Sequence, residues 1–184
     1  IVVGLAGVVA VFTALLAMAE GFQSTLKATG REDVALILRG GSSAELNSGL
    51  GRDQAVLIKQ APGVARGADD QPIGSGEMIV IAELLRKGES TGSNITVRGV
   101  EPAAFALRPQ LKIVEGRPFQ TGLREMVVGR GVTRQFDGAG LGQTLRMRGS
   151  DWTVVGVFET GDATESEQGA DAEVAQSIFN RKGY

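Results

Sequence analysis

Along residues 1–19 every position is apolar or small except Thr13, and no side chain carries a charge. At about 1.5 Å per residue this run forms a helix of roughly 28 Å, close to the thickness of a bilayer hydrocarbon core. A helix satisfies its own backbone and so crosses that layer alone. The pattern predicts a transmembrane helix, because a core helix of a soluble domain keeps a polar stripe and this one has none on any face. Residues 21–27 contain no Pro, so the helix continues as a stalk until Gly30, with Phe22 at the interface and Lys27 in headgroups or water. Ala17-Met18-Ala19 before Glu20 also fits a small-x-small cleavage site. Against that, the apolar run exceeds the usual 7–15 or so residues of a signal peptide and no basic segment precedes it. The chain does not begin with Met and reads as a fragment truncated at both ends.

After the apolar run the pattern changes to short apolar stretches separated by glycine and polar residues. Residues 33–39 read as a buried strand closed by Gly40-Gly41, followed by a polar loop over 41–49. Residues 50–60 read as a helix with Leu50, Leu57 and Ile58 on one face, stopped by Pro62-Gly63. A second strand over 64–68 ends at Asp69-Asp70. The middle third is strand-like at 77–84, 94–100 and 111–119, with Ile95 and Val97 on one face and a helical turn at Pro102. The last third predicts a strand at 125–129, a helix at 130–136 and a hairpin of 144–148 with 152–158. An acidic loop over 159–170 and a closing helix over 172–182, with Val174, Ile178 and Phe179 along one side, complete it. The fold class is α+β: one N-terminal transmembrane helix and a two-lobed mixed α/β domain outside the cytoplasm. The helix and stalk take residues 1–28 and the domain 29–184. One lobe is expected from 29–70 plus 123–184, sharing a sheet, with 71–122 inserted as the other.

Composition narrows the chemistry. Lys plus Arg number 19 and Asp plus Glu 21, a net charge of −2, so no basic excess exists to hold a nucleic acid. Cysteine and histidine are both absent. Disulfides, thiolate nucleophiles and the commonest general base and metal ligand are therefore removed. No GxxxxGK[ST] loop occurs, and Gly129-Arg130-Gly131 and Gly138-Ala139-Gly140-Leu141-Gly142 read as turn glycines. Asp69-Asp70 and Asp162, Glu165, Glu167 lack EF-hand spacing and read as solvated loop charge rather than a calcium site. No SxxK or GxSxG stands in the chain, and Trp152 reads as core packing. Gly4 and Gly7 are three apart, an incomplete GxxxG. No catalytic, cofactor-binding or metal residue is assigned, and no enzyme activity or cofactor is expected.

The order of pieces carries a resemblance. Gly21-Phe22 follows the apolar helix, then come Pro62-Gly63-Val64, Arg98-Gly99-Val100-Glu101-Pro102 and Ile113-Val114-Glu115-Gly116-Arg117-Pro118-Phe119. Val127-Val128-Gly129, Leu141-Gly142-Gln143-Thr144-Leu145 and Trp152-Thr153-Val154-Val155-Gly156-Val157-Phe158 follow, with Phe179-Asn180-Arg181 near the end. This resembles the first membrane helix and periplasmic core domain of MacB-like permeases, in the FtsX/LolC group of ABC transporters. Gln168-Gly169 stands where that family is expected to carry a more apolar pair. The resemblance implies a permease subunit of the bacterial cytoplasmic membrane. Its periplasmic domain passes ATP-driven motion of the membrane helices on, to extrude or release a substrate. The implied partners are an ABC ATPase subunit that hydrolyses the ATP, a second permease copy in a homo- or heterodimer, a periplasmic adaptor protein and membrane lipid. The alternative is a secreted or periplasmic binding module with a signal peptide.

The uncharged run predicts that the expressed chain stays in the membrane fraction after alkaline extraction and keeps an intact mass. A mature N-terminus at Glu20, read by mass spectrometry, overturns the membrane anchor in favour of a cleaved signal peptide.

Overall fold

A computed structural model describes residues 2–29, 33–161 and 163–184. The chain divides into two compact units, Ile1–Ile37 and Leu38–Tyr184. Gly30, the expected helix stop, and Asp162, weighed as a calcium ligand, lie outside the described residues.

The first unit is built on α1 (Val2–Thr29), 28 residues without a break. At about 1.5 Å per residue it is roughly 42 Å long, enough to cross a hydrocarbon core and extend beyond it. Val2–Gly21 is apolar enough to span, and its side chains are exposed. Thr13, the one polar residue of the run, donates its hydroxyl to the Val9 carbonyl at 2.8 Å. That bond satisfies the hydroxyl inside the helix, so hydrocarbon around it leaves no orphaned donor. The strand expected at 33–39 does not form, and Leu36 and Ile37 are exposed. A short apolar run becomes a strand only where a neighbour completes its ladder, and no pairing partner is present among the described residues.

The second unit has the elements α2 (Arg52–Lys59), β1 (Met78–Leu85), β2 (Gly92–Val100), α3 (Ala104–Leu107), β3 (Lys112–Gly116), β4 (Glu125–Gly129) and α4 (Arg130–Gln135). They are followed by β5 (Thr144–Met147), β6 (Ser150–Glu159), β7 (Glu167–Asp171) and α5 (Ala172–Ile178), with 3-10 turns at Glu45–Asn47 and Ala163–Ser166. All seven strands lie in one sheet of order β1-β2-β7-β4-β6-β3, and β5 pairs with β6 beside β3. β2 with β7 and β4 with β6 are parallel, and the other pairings are antiparallel. The sheet curls, so that the end of β1 meets the chain after α4. Arg86 bridges Phe136, and Asp137 donates to the Leu85 carbonyl at 3.1 Å.

This topology corrects the lobe division. β1, β2 and β3 were expected in a separate lobe over 71–122, yet they share one sheet with the strands of 123–184. The segment 29–70 was expected to share a sheet with the last third, yet among the described residues it supplies no sheet strand. Residues 64–68 make only a bridge, Arg66 to Pro72. The reason is β7. Residues 167–170, expected within an acidic loop, form a strand whose two edges are taken by β2 and β4. The expected α2 face also changes. Ala55 is the buried residue of the helix, Leu57 is 69% exposed, and Leu50 precedes the helix. The predicted hairpin is present, closed by Arg148 and Gly149, both at positive φ (51° and 74°). Two such residues give the type I′ turn that matches strand twist.

Alternation along the strands builds the core. Met78, Val80, Ala82 and Leu84 of β1 and Ile95 and Val97 of β2 enter one large apolar cluster. Met126 and Val128 of β4, Trp152 and Val154 of β6, and Val132 and Phe136 around α4 join them. Trp152 is fully buried, as expected of a core residue. Val127 points to the opposite face, where it joins Val100, Ala104, Phe119 and Phe158. Burial on both faces of β4 makes it a central strand.

Gln168 stands apart in this core. It is fully buried, and neither amide atom has a hydrogen-bond partner among the described residues. Leaving a buried amide unpaired costs about 1–3 kcal/mol. Gln168→Met, which keeps the volume and removes the polar atoms, is therefore expected to stabilise the protein by about 1–2 kcal/mol in denaturant unfolding. Unchanged or lower stability in this variant counts against an unpartnered amide.

Candidate functional site

Two side-chain networks lie within the second unit, one reaching the 3-10 turn before α2 and the other reaching Tyr184. The first centres on Arg98, on the β2 face opposite Ile95 and Val97. Its guanidinium touches Glu45 at 2.9 Å, Glu77 at 3.1 Å and Glu167 at 3.0 Å. Glu77 also receives a two-pronged contact from Arg108 at 2.6 and 2.7 Å. Arg98 and Glu77 are each 16% exposed at the side chain. Burial alone would weaken the charge on Arg98. The hydrogen bond and charge of Glu167, with Glu45 and Glu77, outweigh it and hold the guanidinium firmly protonated. The network fastens the 3-10 turn before α2, the start of β1 and the start of β7 to β2.

The second network centres on Glu101, one residue beyond β2. Lys59, at the end of α2, reaches its two oxygens at 2.8 and 3.1 Å. The Tyr184 hydroxyl donates to it at 2.8 Å. Burial would raise the Glu101 carboxyl. Hydrogen bonds from Lys59, the Gly76 backbone N–H and Tyr184, with the charge of Lys59, outweigh burial and hold it below the usual carboxylate range. Tyr184 shifts the other way: burial and the bonded Glu101 carboxylate push its hydroxyl well above the ordinary tyrosine value. A carboxylate already holding three donors serves as a tie, with little capacity left to take a proton from a substrate.

Two shallow concavities flank this joint. One of about 450 Å³ runs over Lys59, Pro72, Val100, Glu101, Ala172 and Tyr184. The other, about 300 Å³, runs over Glu45, Leu50, Met78, Arg181 and Tyr184. Among the described residues, no group of three or more carboxylates is placed to hold a metal ion. The acidic residues weighed for calcium have local partners. Glu165 accepts from the Thr160 and Gly161 amides, Glu167 pairs with Arg98, and Asp70 pairs with Arg66. Gly129 has a packing role: the Glu165 carbonyl sits where a side chain at 129 would stand.

The sequence pattern singles out neither Lys59 nor Tyr184. It did single out Arg98-Gly99-Val100-Glu101-Pro102, and two hubs of the joint stand in that segment. An arginine facing away from Ile95 and Val97 on a buried strand was the one available signal, since such a charge requires partners.

The family model of the MacB-like periplasmic core domain matches residues 1–179. Two solved structures share the fold. The extracellular domain of the noncanonic ABC-type transporter YknZ from Gram-positive bacteria superposes with a TM-score of 0.58 at 18% identity, covering 78% of this chain and 75% of that one. The periplasmic region of MacB from Actinobacillus actinomycetemcomitans does so with a TM-score of 0.57 at 14% identity, covering 79% and 68%. No curated protein matches the chain.

Glu101 has a folded-state pKa below its unfolded value. Its contribution to stability is then full above the ordinary carboxylate range and is lost as pH falls through the folded value, because the unfolded state binds the proton first. Glu101→Gln is expected to lower stability at pH 7 and to flatten the loss of stability as pH falls through and below the ordinary carboxylate range in denaturant unfolding. An acid limb as steep as that of the parent protein contradicts this assignment.

Proposed function

The chain belongs to the family of MacB-like periplasmic core domains, and from that premise we propose that it is the first membrane helix and extracytoplasmic domain of an ABC transporter permease. The observation that carries the reading is the extent of the match, which takes in α1 and nearly the whole second unit. α1 anchors the protein in the bacterial cytoplasmic membrane, and the domain stands outside the cytoplasm. ATP hydrolysis belongs to a partner ATPase. A second permease copy completes the transporter, with a periplasmic adaptor and membrane lipid as further partners. The domain acts as a lever that passes motion of the membrane helices to the substrate it extrudes or releases. The paired charges of Arg98 and Glu101 support this role, because a lever needs stiffness.

Residues 1–184 contain no cysteine, so a thiol introduced here reports on this domain by comparison with the parent permease. Leu57 is exposed on α2 and suits the substitution. In the full-length permease, Leu57→Cys is expected to react with a membrane-impermeant maleimide in intact spheroplasts. Its labelling rate is expected to change when vanadate traps the partner ATPase. Labelling only after lysis overturns the topology, and a rate independent of nucleotide overturns the lever.

A further inference from the structure

We propose that Tyr184 is a latch that joins an incoming segment near the start of the second unit and an outgoing segment at its end into one mechanical element. The incoming segment comprises residues 50–59 and the outgoing segment residues 181–184. They lie side by side. Leu50 donates its amide to the Tyr184 carbonyl at 2.5 Å, and Tyr184 donates its own to the Leu50 carbonyl at 2.9 Å. Gly51 and Gly183 face each other in an antiparallel bridge. A pair that exchanges both backbone bonds is the unit of an antiparallel ladder.

Two side chains then hold both segments at once. Glu101 takes Lys59 from the incoming segment and the Tyr184 hydroxyl from the outgoing one. Gln176, 2% exposed on α5, accepts from Arg52 of the incoming segment at 2.6 and 3.2 Å. Its amide nitrogen donates to the Gly183 carbonyl of the outgoing segment at 3.2 Å. Neither segment moves alone without breaking bonds to a group that also grips the other.

The space for the latch is made by glycine. A Cβ on Gly76 would stand among the atoms of the Tyr184 ring, with ring carbons at 2.6 to 2.8 Å. A Cβ on Gly183 would run into the Leu50 carbonyl. Both positions admit no larger residue without shifting the latch. The ring fills a socket that Gly76 leaves open, and the hydroxyl reaches the carboxylate at its end. The mechanical meaning of the latch rests on the permease reading: motion reaching either segment is delivered to the domain by both.

Hydrogen exchange of the 1–184 chain in detergent micelles tests the latch. In the parent protein the Leu50 and Tyr184 amides are expected to exchange slowly and at similar rates. Tyr184→Phe, which removes one oxygen, is expected to speed both by about tenfold, the loss of one hydrogen bond to a charged group. Gly76→Ala, which displaces the ring, is expected to speed both further while the Val128 and Val154 amides stay protected. Fast exchange at Tyr184 with Leu50 unchanged, in either variant, overturns the latch. Free exchange of both amides in the parent protein overturns it as well. If Gly76→Ala also exposes the core amides, Tyr184→Phe alone decides. Exchange reads neither membrane orientation nor nucleotide, so its failure leaves the permease reading standing, and failed thiol labelling leaves the latch standing.

Discussion

The hydrogen bonds on the two edges of β7 hold the sheet together. On one side lies β2, parallel over residues 96–100, and on the other β4, antiparallel over residues 126–128. Without β7 the β1–β2 hairpin and the β4–β6 group would each end in an open edge at the middle of the core. A two-stranded hairpin is marginal alone in water, and buried backbone groups must be paired. Five residues therefore convert two partial sheets into one that curls around Trp152, Val97 and Val128.

The side chains of β7 follow from the same placement. Glu167 at its start reaches Arg98 on the neighbouring strand. Asp171 at its end accepts the Val174 amide at 2.9 Å and so caps α5. Ala170 is small enough to sit fully buried between strands. Gln168 alone has no such task. It faces the register partners Val97 and Val128 with an unpaired amide. A strand placed by its neighbours carries polar residues wherever their heads find partners, and Gln168 marks the place where none is offered.

That explains which parts of the chain were legible. α1, β1, β2, β4 and the β5–β6 hairpin carry their own signal, because a charge-free run or a β-branched alternation declares burial without reference to the rest of the chain. β7 does not. Glu-Gln-Gly-Ala-Asp has no β-branched residue, and its strand character comes from two flanking edges far away in sequence. The two-lobe expectation failed in part for the same reason, since β7 joins β1 and β2 to β4, while β3 pairs directly with β6. Residues 33–39 are the reverse case, with a strand-like pattern and no edge to meet. At the joint, Arg98 and Glu101 stood in a segment singled out by resemblance, whereas Lys59 and Tyr184 carry no pattern that ties them to it. A surface lysine before a loop and a tyrosine after a helix acquire meaning only when the fold brings them to one carboxylate.

The two networks differ in what they fasten. Arg98 joins parts of the sheet and its cover to β2, so it fixes the interior of the domain. Glu101 joins α2 to Tyr184, so it ties two segments distant in sequence within the domain. β2 carries Arg98 near its end, and Glu101 follows directly after it. The joint thus rests on a strand held on one edge by β1 and on the other by β7, and through β7 it is continuous with β4 and β6. Packed sheets resist continuous deformation because their interiors are as dense as crystals of small molecules. Strand pairing therefore ties β2 to the rest of the sheet as one packed body. The joint itself is held by paired charges, Lys59 with Glu101 and Arg98 with Glu45, Glu77 and Glu167.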